Sequence, residues 1–362
     1  MKTEDYQEAA VAFADSNSEQ HKNDSEKITI YPVGHGLINH TYKVVCESQS
    51  PFLLQQINKK VFTNPKDVQE NYLNIWQYAE FELTGLKLPS PKYWDKQETL
   101  FIDHNHNYWR AFEYIPDSVT LTIAQKPSQA KAMAKTFAKF TSAFSNFNVD
   151  QLNTIIPDFH NLTFRYEEME LAEKGELYEQ IAKAQPLLRE LKARERYRHF
   201  YDILTSSPEF PLRVMHHDAK ISNILFSKTS GRVICPVDFD TVMPGYFFSD
   251  LGDMIRSTAG NFDENYLHFE KIRIRKNFYE AIISGYLFVM EKYLTDSEKK
   301  YIHYAGLMMI YMQAIRFLTD FMNGGIYYKV EYTGQNFDRA LNQLTLLKRL
   351  EEFLKTEYDF KV

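Results

Sequence analysis

Short runs of β-branched and aromatic residues, broken by turn residues, fill the first third of the chain, and long helical periodicities fill most of the remainder. Ahead of both, YQEAAVAFA at 6–14 predicts a short helix and the polar run at 16–27 a linker. KITIYPV at 27–33, TYKVVCE at 41–47 and FLLQQI at 52–57 read as strands. Asn64-Pro65 signals a helix start, after which Val68, Tyr72, Ile75, Trp76 and Tyr78 recur at roughly helical spacing. ETLFID and NYWRAFEYI add two more strands and carry the chain to Pro116.

From about residue 122 the expected elements are helices over 122–146, 165–204, 263–293, 296–323 and 336–357. The middle is the exception. RVMHHDAKISNILF and RVICPVDFDTVMPG read as short buried strands carrying polar residues that a plain core strand would not tolerate. The fold class expected is α+β, with a small β-rich lobe and a larger, mostly helical one. The switch near Glu113–Asp117 marks the boundary, giving an N-terminal helix and linker at 1–26, a nucleotide-covering lobe at 27–115 and a catalytic, acceptor-binding lobe at 116–362. The cleft between lobes is the default ligand site.

Composition narrows the classes. The 362 residues are 44% hydrophobic and 25% charged, which is the make-up of a folded globular protein. Lys and Arg number 42 against 48 Asp and Glu, a formal net charge of −6, with no long basic run; neither nucleic acid nor a membrane surface is an expected partner. Cys46 and Cys235 lie far apart and outside any CxxC pair, which argues against a disulfide framework and a thiolate zinc site. The N-terminus lacks the apolar core of a signal peptide, and the longest nearly apolar stretch, Tyr304 to Ile315, is too short to span a bilayer. A buried helix and a cytoplasmic location are expected.

The chemistry concentrates in His216-His217-Asp218-Ala219-Lys220-Ile221-Ser222-Asn223 and in Val237-Asp238-Phe239-Asp240, whose first Asp stands fifteen residues after that Asn. Phosphoryl transfer from ATP requires one carboxylate to orient a hydroxyl, then Asn and Asp to hold Mg²⁺, and this spacing supplies all three. Hard oxygen donors suit magnesium, whereas thiolates or a His cluster would suit zinc. Taken singly, each residue would be an ordinary turn cap or strand end. Gly34-x-Gly36, between two strands, fits a phosphate-covering loop, though a lone GxG is also a common hairpin turn. There is no GxxxxGK[ST], so a P-loop enzyme is not the simple reading.

These segments resemble the aminoglycoside phosphotransferase and choline kinase superfamily, whose fold is like that of protein kinases. Its HxDxxxxN loop is matched by His216, Asp218 and Asn223, and its [IV]DF strand by Val237-Asp238-Phe239. The resemblance implies a catalytic Asp218, metal-binding Asn223 and Asp238, and a buried His216 bracing the loop. It assigns Gly34, Gly36, Gln55, Glu113 and Ile115 to the nucleotide. GHGLINHTYKV, FLLQQIN, PLRVMHHDAKISNIL, DFDTVMPG, DLGDMIR and RFLTDFMNGGIYY are together similar to the N-acetylhexosamine 1-kinases within that superfamily.

Two departures stand out. The superfamily places Lys or Arg on the third strand, where it holds phosphates and pairs with a helix Glu, and FLLQQIN puts the neutral Gln55 there, leaving Glu70 no cation at that position. Lys220 occupies a place where aminoglycoside phosphotransferases commonly carry His; it resembles the protein-kinase loop, where a Lys faces the transferring phosphoryl group and offsets charge developing on it. For the acceptor, His160, Arg213, Asp240, Arg316 and Asp320 are the candidate contacts. Asp250, Asp253, Arg256, Tyr327 and Tyr328 join them as residues that either bind hydroxyls or brace one another, and Arg316 and Asp320, four apart on a helix, are equally well read as an internal pair. His104 and His106 are expected to decorate a turn. The expected activity is ATP- and Mg²⁺-dependent phosphorylation of the anomeric hydroxyl of N-acetylglucosamine or N-acetylgalactosamine. The alternatives are another small alcohol, such as choline, homoserine, methylthioribose or an aminoglycoside, or a nucleotide-binding pseudokinase.

Overall fold

The computed structural model describes residues 3–15, 28–33, 38–47, 49–82 and 84–362. In chain order come α1 (Thr3–Asp15), β1 (Ile28–Pro32), β2 (His40–Cys46), β3 (Phe52–Ile57), α2 (Pro65–Phe81), β4 (Pro91–Lys92), β5 (Leu100–Ile102), β6 (Tyr108–Glu113) and β7 (Ser118–Val119). Helices α3 (Pro127–Ala143), α4 (Leu162–Glu173), α5 (Tyr178–Lys192) and α6 (Arg196–Thr205) come next. Then come β8 (Arg213–Met215), β9 (Ile224–Ser227), β10 (Val233–Pro236) and β11 (Met243–Gly245). The chain ends with α7 (Phe248–Thr258), α8 (Lys276–Met290), α9 (Asp296–Lys300), α10 (Tyr304–Met322) and α11 (Gln335–Tyr358). The fold is α+β, with a sheet-rich N-terminal region and a helical C-terminal part.

Two compact units emerge. The first comprises Met1–Val119, Phe147–Ile156 and Leu225–Met243; the second comprises Thr120–Asn146, Pro157–Ile224 and Pro244–Val362. In the first, the described strands form an antiparallel sheet in the order β1-β2-β3-β6-β4, with β5 also on β6. Its register sets Gln55 directly opposite Arg110. Ala9, Ala10, Phe13 and Ala14 of α1 bury against Val44, Phe52, Leu54 and Trp109, so the alanine-rich face of α1 lies close against the sheet. Pro65 opens α2, where its missing N–H costs nothing. The His104 and His106 turn is tightened by Asp103, which accepts the Asn105 and Asn107 amides and the Trp109 indole N–H.

The second unit is built around α10. Every residue of this helix is buried except Arg316, as expected of a helix that is apolar nearly all round. It packs against α11, α7 and α4, while α3 packs against α8. Gly252 on α7 and Gly306 on α10 permit the close crossing: a Cβ on Gly252 would stand 2.5 Å from the Ala305 carbonyl oxygen, and one on Gly306 2.7 Å from Ile255. Among the described residues, no helix is long and apolar enough to cross a membrane.

Several expected helices are divided or shortened. The run 165–204 forms α4, α5 and α6, broken at Gly175 and again at 193–195. The run 263–293 is α-helical only from Lys276, after a single 3-10 turn at Phe269–Lys271, because Asn261 ties back the preceding segment, donating to the Lys271 carbonyl and accepting the Arg273 amide. The run 296–323 divides into α9 and α10.

Candidate active site

The motif read from the sequence is divided between the units, with 216–223 in the second and Asp238 in the first. The first of these segments leaves β8 at Met215 and crosses to a single 3-10 turn at Ile221–Asn223. His216 is fully buried, with Phe137 and Phe140 of α3 packed edge-on to its ring at 5.0 and 5.9 Å. Its Nδ1 accepts the Asp218 amide at 3.3 Å, so the ring braces the backbone of the residue two places on. His217 adopts a left-handed φ of 62°, an uncommon conformation for a side-chain-bearing residue. Gly245 makes room for its ring, since a Cβ there would lie 2.4 Å from His217 Cε1.

Asp250, the first acidic residue of α7, is fully buried and anchors this loop by accepting the His216 and His217 amides at 2.9 and 2.7 Å. Burial pushes its carboxyl up to about 7, against the two amide hydrogen bonds and with help from Asp253 and Asp218. Asp253 pairs with Arg256, which also reaches Glu264.

The Asp218 carboxylate is half-buried and receives Lys220 Nζ and Asn223 Nδ2, each at 2.8 Å. Burial alone would raise its pKa, but the Lys220 charge and hydrogen bond, with His216 and Asn223, outweigh it and hold the carboxyl below its ordinary range. Asn223 Nδ2 also donates to the Asp218 carbonyl at 2.9 Å. The amide nitrogen is thereby turned toward Asp218, leaving Oδ1 as a hard oxygen donor for a cation.

Beside this loop, His160 Nδ1 meets Ser249 Oγ at 2.5 Å, and Ser249 Oγ meets His217 Nδ1 at 2.7 Å. Burial, then the charges of His217, Arg316, Arg165 and Arg256, depress His160 well below its ordinary value, so it stands neutral. Arg316 lies over the rings of Phe159, Tyr327 and Tyr328, and its hydrogen bonds to Gln313 and the Tyr327 hydroxyl are long, at 3.4 and 3.3 Å. Among the described residues it has no acidic partner. The internal Arg316–Asp320 pair does not form, because Asp320 instead accepts the Tyr327 and Tyr328 amides at 2.8 and 3.0 Å and the Asn336 side chain at 2.7 Å. Asp320 thus folds the Gly324-Gly325 turn, both glycines at positive φ, so that the two tyrosines face Arg316. Arg213 is directed elsewhere, onto the fully buried Glu298 at 2.7 Å and the Tyr293 carbonyl at 2.8 Å.

In the first unit, Asp238 is exposed and left-handed, with φ 69°. Asp240, two residues on, is buried and pairs with Arg110 of β6 and Asn39. Gln55 does not meet Glu70, which accepts from Asn153; its carbonyl oxygen accepts Arg110 Nε at 3.0 Å and Nη2 at 2.6 Å, and its Nε2 donates to Thr41 at 3.1 Å. Glu113 ends β6, its amide donating to the Ser90 carbonyl, and the buried Ile115 accepts the Ser118 hydroxyl through its carbonyl. Gly34 and Gly36 lie outside the described residues. The sequence reading missed Arg110, Asn39, Ser249 and Gly245, and it took Asp250 for an acceptor or bracing residue rather than the loop's anchor. Arg110 carried a signal: a charge between Trp109 and Ala111 in a strand core needs a buried partner.

Residues 29–292 match the phosphotransferase enzyme family, designated APH. Among solved structures, an aminoglycoside phosphotransferase from Alicyclobacillus acidocaldarius is similar at 12% identity and TM-score 0.60, over 92% of this chain and 94% of that one. A choline kinase from Cryptosporidium parvum Iowa II is similar at 15% identity and TM-score 0.55, over 98% and 97%. The amicoumacin kinase hAmiN, solved in complex with AMP-PNP and Ca²⁺, is similar at 11% identity and TM-score 0.55, over 87% of each chain.

Proposed function

Because the chain belongs to the phosphotransferase enzyme family, we propose that it is an ATP- and Mg²⁺-dependent kinase that phosphorylates the anomeric hydroxyl of an N-acetylhexosamine. The observation that carries the phosphotransferase reading is the Asp218 carboxylate, kept ionised in a half-buried site by Lys220 and Asn223 on a loop anchored by Asp250. In this reading Asp218 accepts the hydrogen bond of the acceptor hydroxyl, orients its oxygen and takes the proton late, as befits a weak base facing a loose transition state. Lys220 offsets charge on the transferred group. Asn223 Oδ1 and the Asp238 carboxylate are the proposed metal donors, and hard oxygens few in number fit Mg²⁺, which takes its remaining ligands from phosphate and water. When bound, Mg²⁺·ATP supplies the phosphoryl group and a cation that neutralises its oxygens. A cytoplasmic setting accords with the use of ATP.

The acceptor class rests on charge. Arg316 stands in an aromatic frame with no ion-pair partner among the described residues, and His160 is neutral, while the nearby Asp253 and Glu264 are taken up by Arg256; a polycationic aminoglycoside or choline would need unpaired negative groups there. A neutral, hydroxyl-rich ring suits tyrosine faces and a guanidinium donor. The RFLTDFMNGGIYY segment that supplies Arg316 and the two tyrosines is also one of the six that resemble the N-acetylhexosamine 1-kinases. The test is an acceptor panel with ATP and Mg²⁺, its products read by phosphorus NMR. N-acetylglucosamine or N-acetylgalactosamine should yield a 1-phosphate. Turnover of a cationic alcohol alone would remove the sugar assignment, and phosphate on another carbon would remove the anomeric one.

A further inference from the structure

Arg110 and Asp240 are 2% and 3% exposed, so neither side chain is placed for a surface role. A buried ion pair is weak evidence for stability, since desolvating both charges offsets much of their attraction; what it does well is fix a geometry. Here the geometry is closed. Arg110 directs Nε and Nη2 onto Gln55 and Nη2 onto Asp240, Asn39 donates to the other Asp240 oxygen and accepts the Asn58 amide at 2.9 Å, and Gln55 is held in turn by Thr41.

The turn that this network grips is the one carrying Asp238. A non-glycine residue at φ 69° persists only where its surroundings over-determine it. Those surroundings are visible one residue at a time. Phe239 packs on the Tyr72 ring at 5.5 Å, Asp240 is held by Arg110 and Asn39, and the Val242 carbonyl accepts Asn71 Nδ2 at 2.8 Å. Gln55, for its part, presents its carbonyl oxygen to a cation and an amide hydrogen to Thr41, an orientation set by Arg110 across the strand pair.

We propose that Arg110 is a positioning residue that, through its buried pair with Asp240, holds Asp238 in the backbone conformation its metal-binding role requires, and that Gln55 serves to hold Arg110 rather than the nucleotide. This rests on the kinase reading. It places the cation opposite β3, on β6, and makes it act through a carboxylate instead of on phosphate.

The test reads binding, not turnover: the rise in melting temperature given by ATP as Mg²⁺ is titrated, with no acceptor present. Arg110→Met alone leaves a buried charge uncompensated and is expected to lower the melting temperature; the double variant Arg110→Met/Asp240→Leu removes both charges and is expected to recover most of it. In the double variant the Mg²⁺ concentration giving half the ATP-dependent rise should increase about tenfold or more, the usual cost of losing a residue that orients a metal ligand. Gln55→Leu should weaken the response in the wild-type background and add nothing in the Arg110→Met background. A double variant that recovers its melting temperature and responds to Mg²⁺ as the wild type does would overturn the inference, as would a Gln55→Leu effect undiminished without Arg110. A wild-type chain with no Mg²⁺-dependent response to ATP would overturn the kinase reading and this inference together, so the two failures are distinguishable.

Discussion

At neutral pH Asp218 is ionised because burial, which opposes its charge, is outweighed by Lys220 together with His216 and Asn223. Replacing Asp218 with Asn keeps the shape while removing the carboxylate proposed to accept the substrate proton. Asp218→Asn should lower kcat by about 10³-fold, within the range typical of a lost general base, with the ATP-induced thermal shift largely retained; steady-state kinetics within tenfold of wild type would contradict the role. Asp250 gives a prediction of opposite electrostatic character. Its folded pKa of about 7 lies above the unfolded value near 4, so the native state binds an extra proton between the two. The stability this confers is complete below about pH 4 and is lost as pH rises through 7. Asp250→Asn cannot titrate but offers one acceptor for the two amides, so it should start below the wild type in stability at pH 4 and lose less of it between pH 4 and 8, read from paired melting curves; equal pH slopes in the two proteins would contradict the shift. Residues of both kinds were visible in the sequence as charges beside apolar runs. The role proposed for Asp218 could be read along the chain, because that proposal is tied to a fixed spacing within one loop. The anchoring by Asp250 could not, because its partners lie more than thirty residues away.

Among the elements, α10 illustrates how far periodicity carries. Its nearly apolar composition implied burial on every side, and the single exception, Arg316, is the residue proposed to meet the acceptor. What periodicity could not supply was the crossing with α7, which depends on Gly252 approaching the Ala305 carbonyl. Gly252→Ala should be destabilising by about 1–3 kcal/mol despite the better helix propensity of Ala, because its Cβ would meet backbone at 2.5 Å and Met309 Cβ at 2.8 Å. Thermal or urea unfolding checks this; an unchanged or raised stability would mean that the helices separate freely. The same limit explains the expected helix over 263–293. Its first half has the residues of a helix, yet Asn261 offers its backbone a better set of partners from outside the segment.

For the molecule as a whole, the net charge of −6 bears on encounter with the acceptor more than on the fold. A neutral sugar is not steered by that field, so with ATP and Mg²⁺ saturating, kcat/KM for the acceptor should change less than about twofold between 50 and 300 mM salt. A steep fall with salt would indicate a cationic acceptor and count against the Arg316 frame as its site. The family match over 29–292 and the similarity to structures at 11–15% identity fit a fold shared in architecture while most of its surface chemistry differs.

By itself the sequence determined the succession of a strand-rich region and a helical one, the α+β class and the position of the loop bearing Asp218 and Asn223, since these arise from periodicity and from spacings within one short segment. Tertiary structure alone decided that Arg110 answers Gln55, that Asp320 folds the tyrosine turn instead of pairing with Arg316, and that Asp250 holds the loop. Each of those choices is a competition among buried polar groups for partners distant along the chain, and a buried donor goes to whichever acceptor the packing brings within reach.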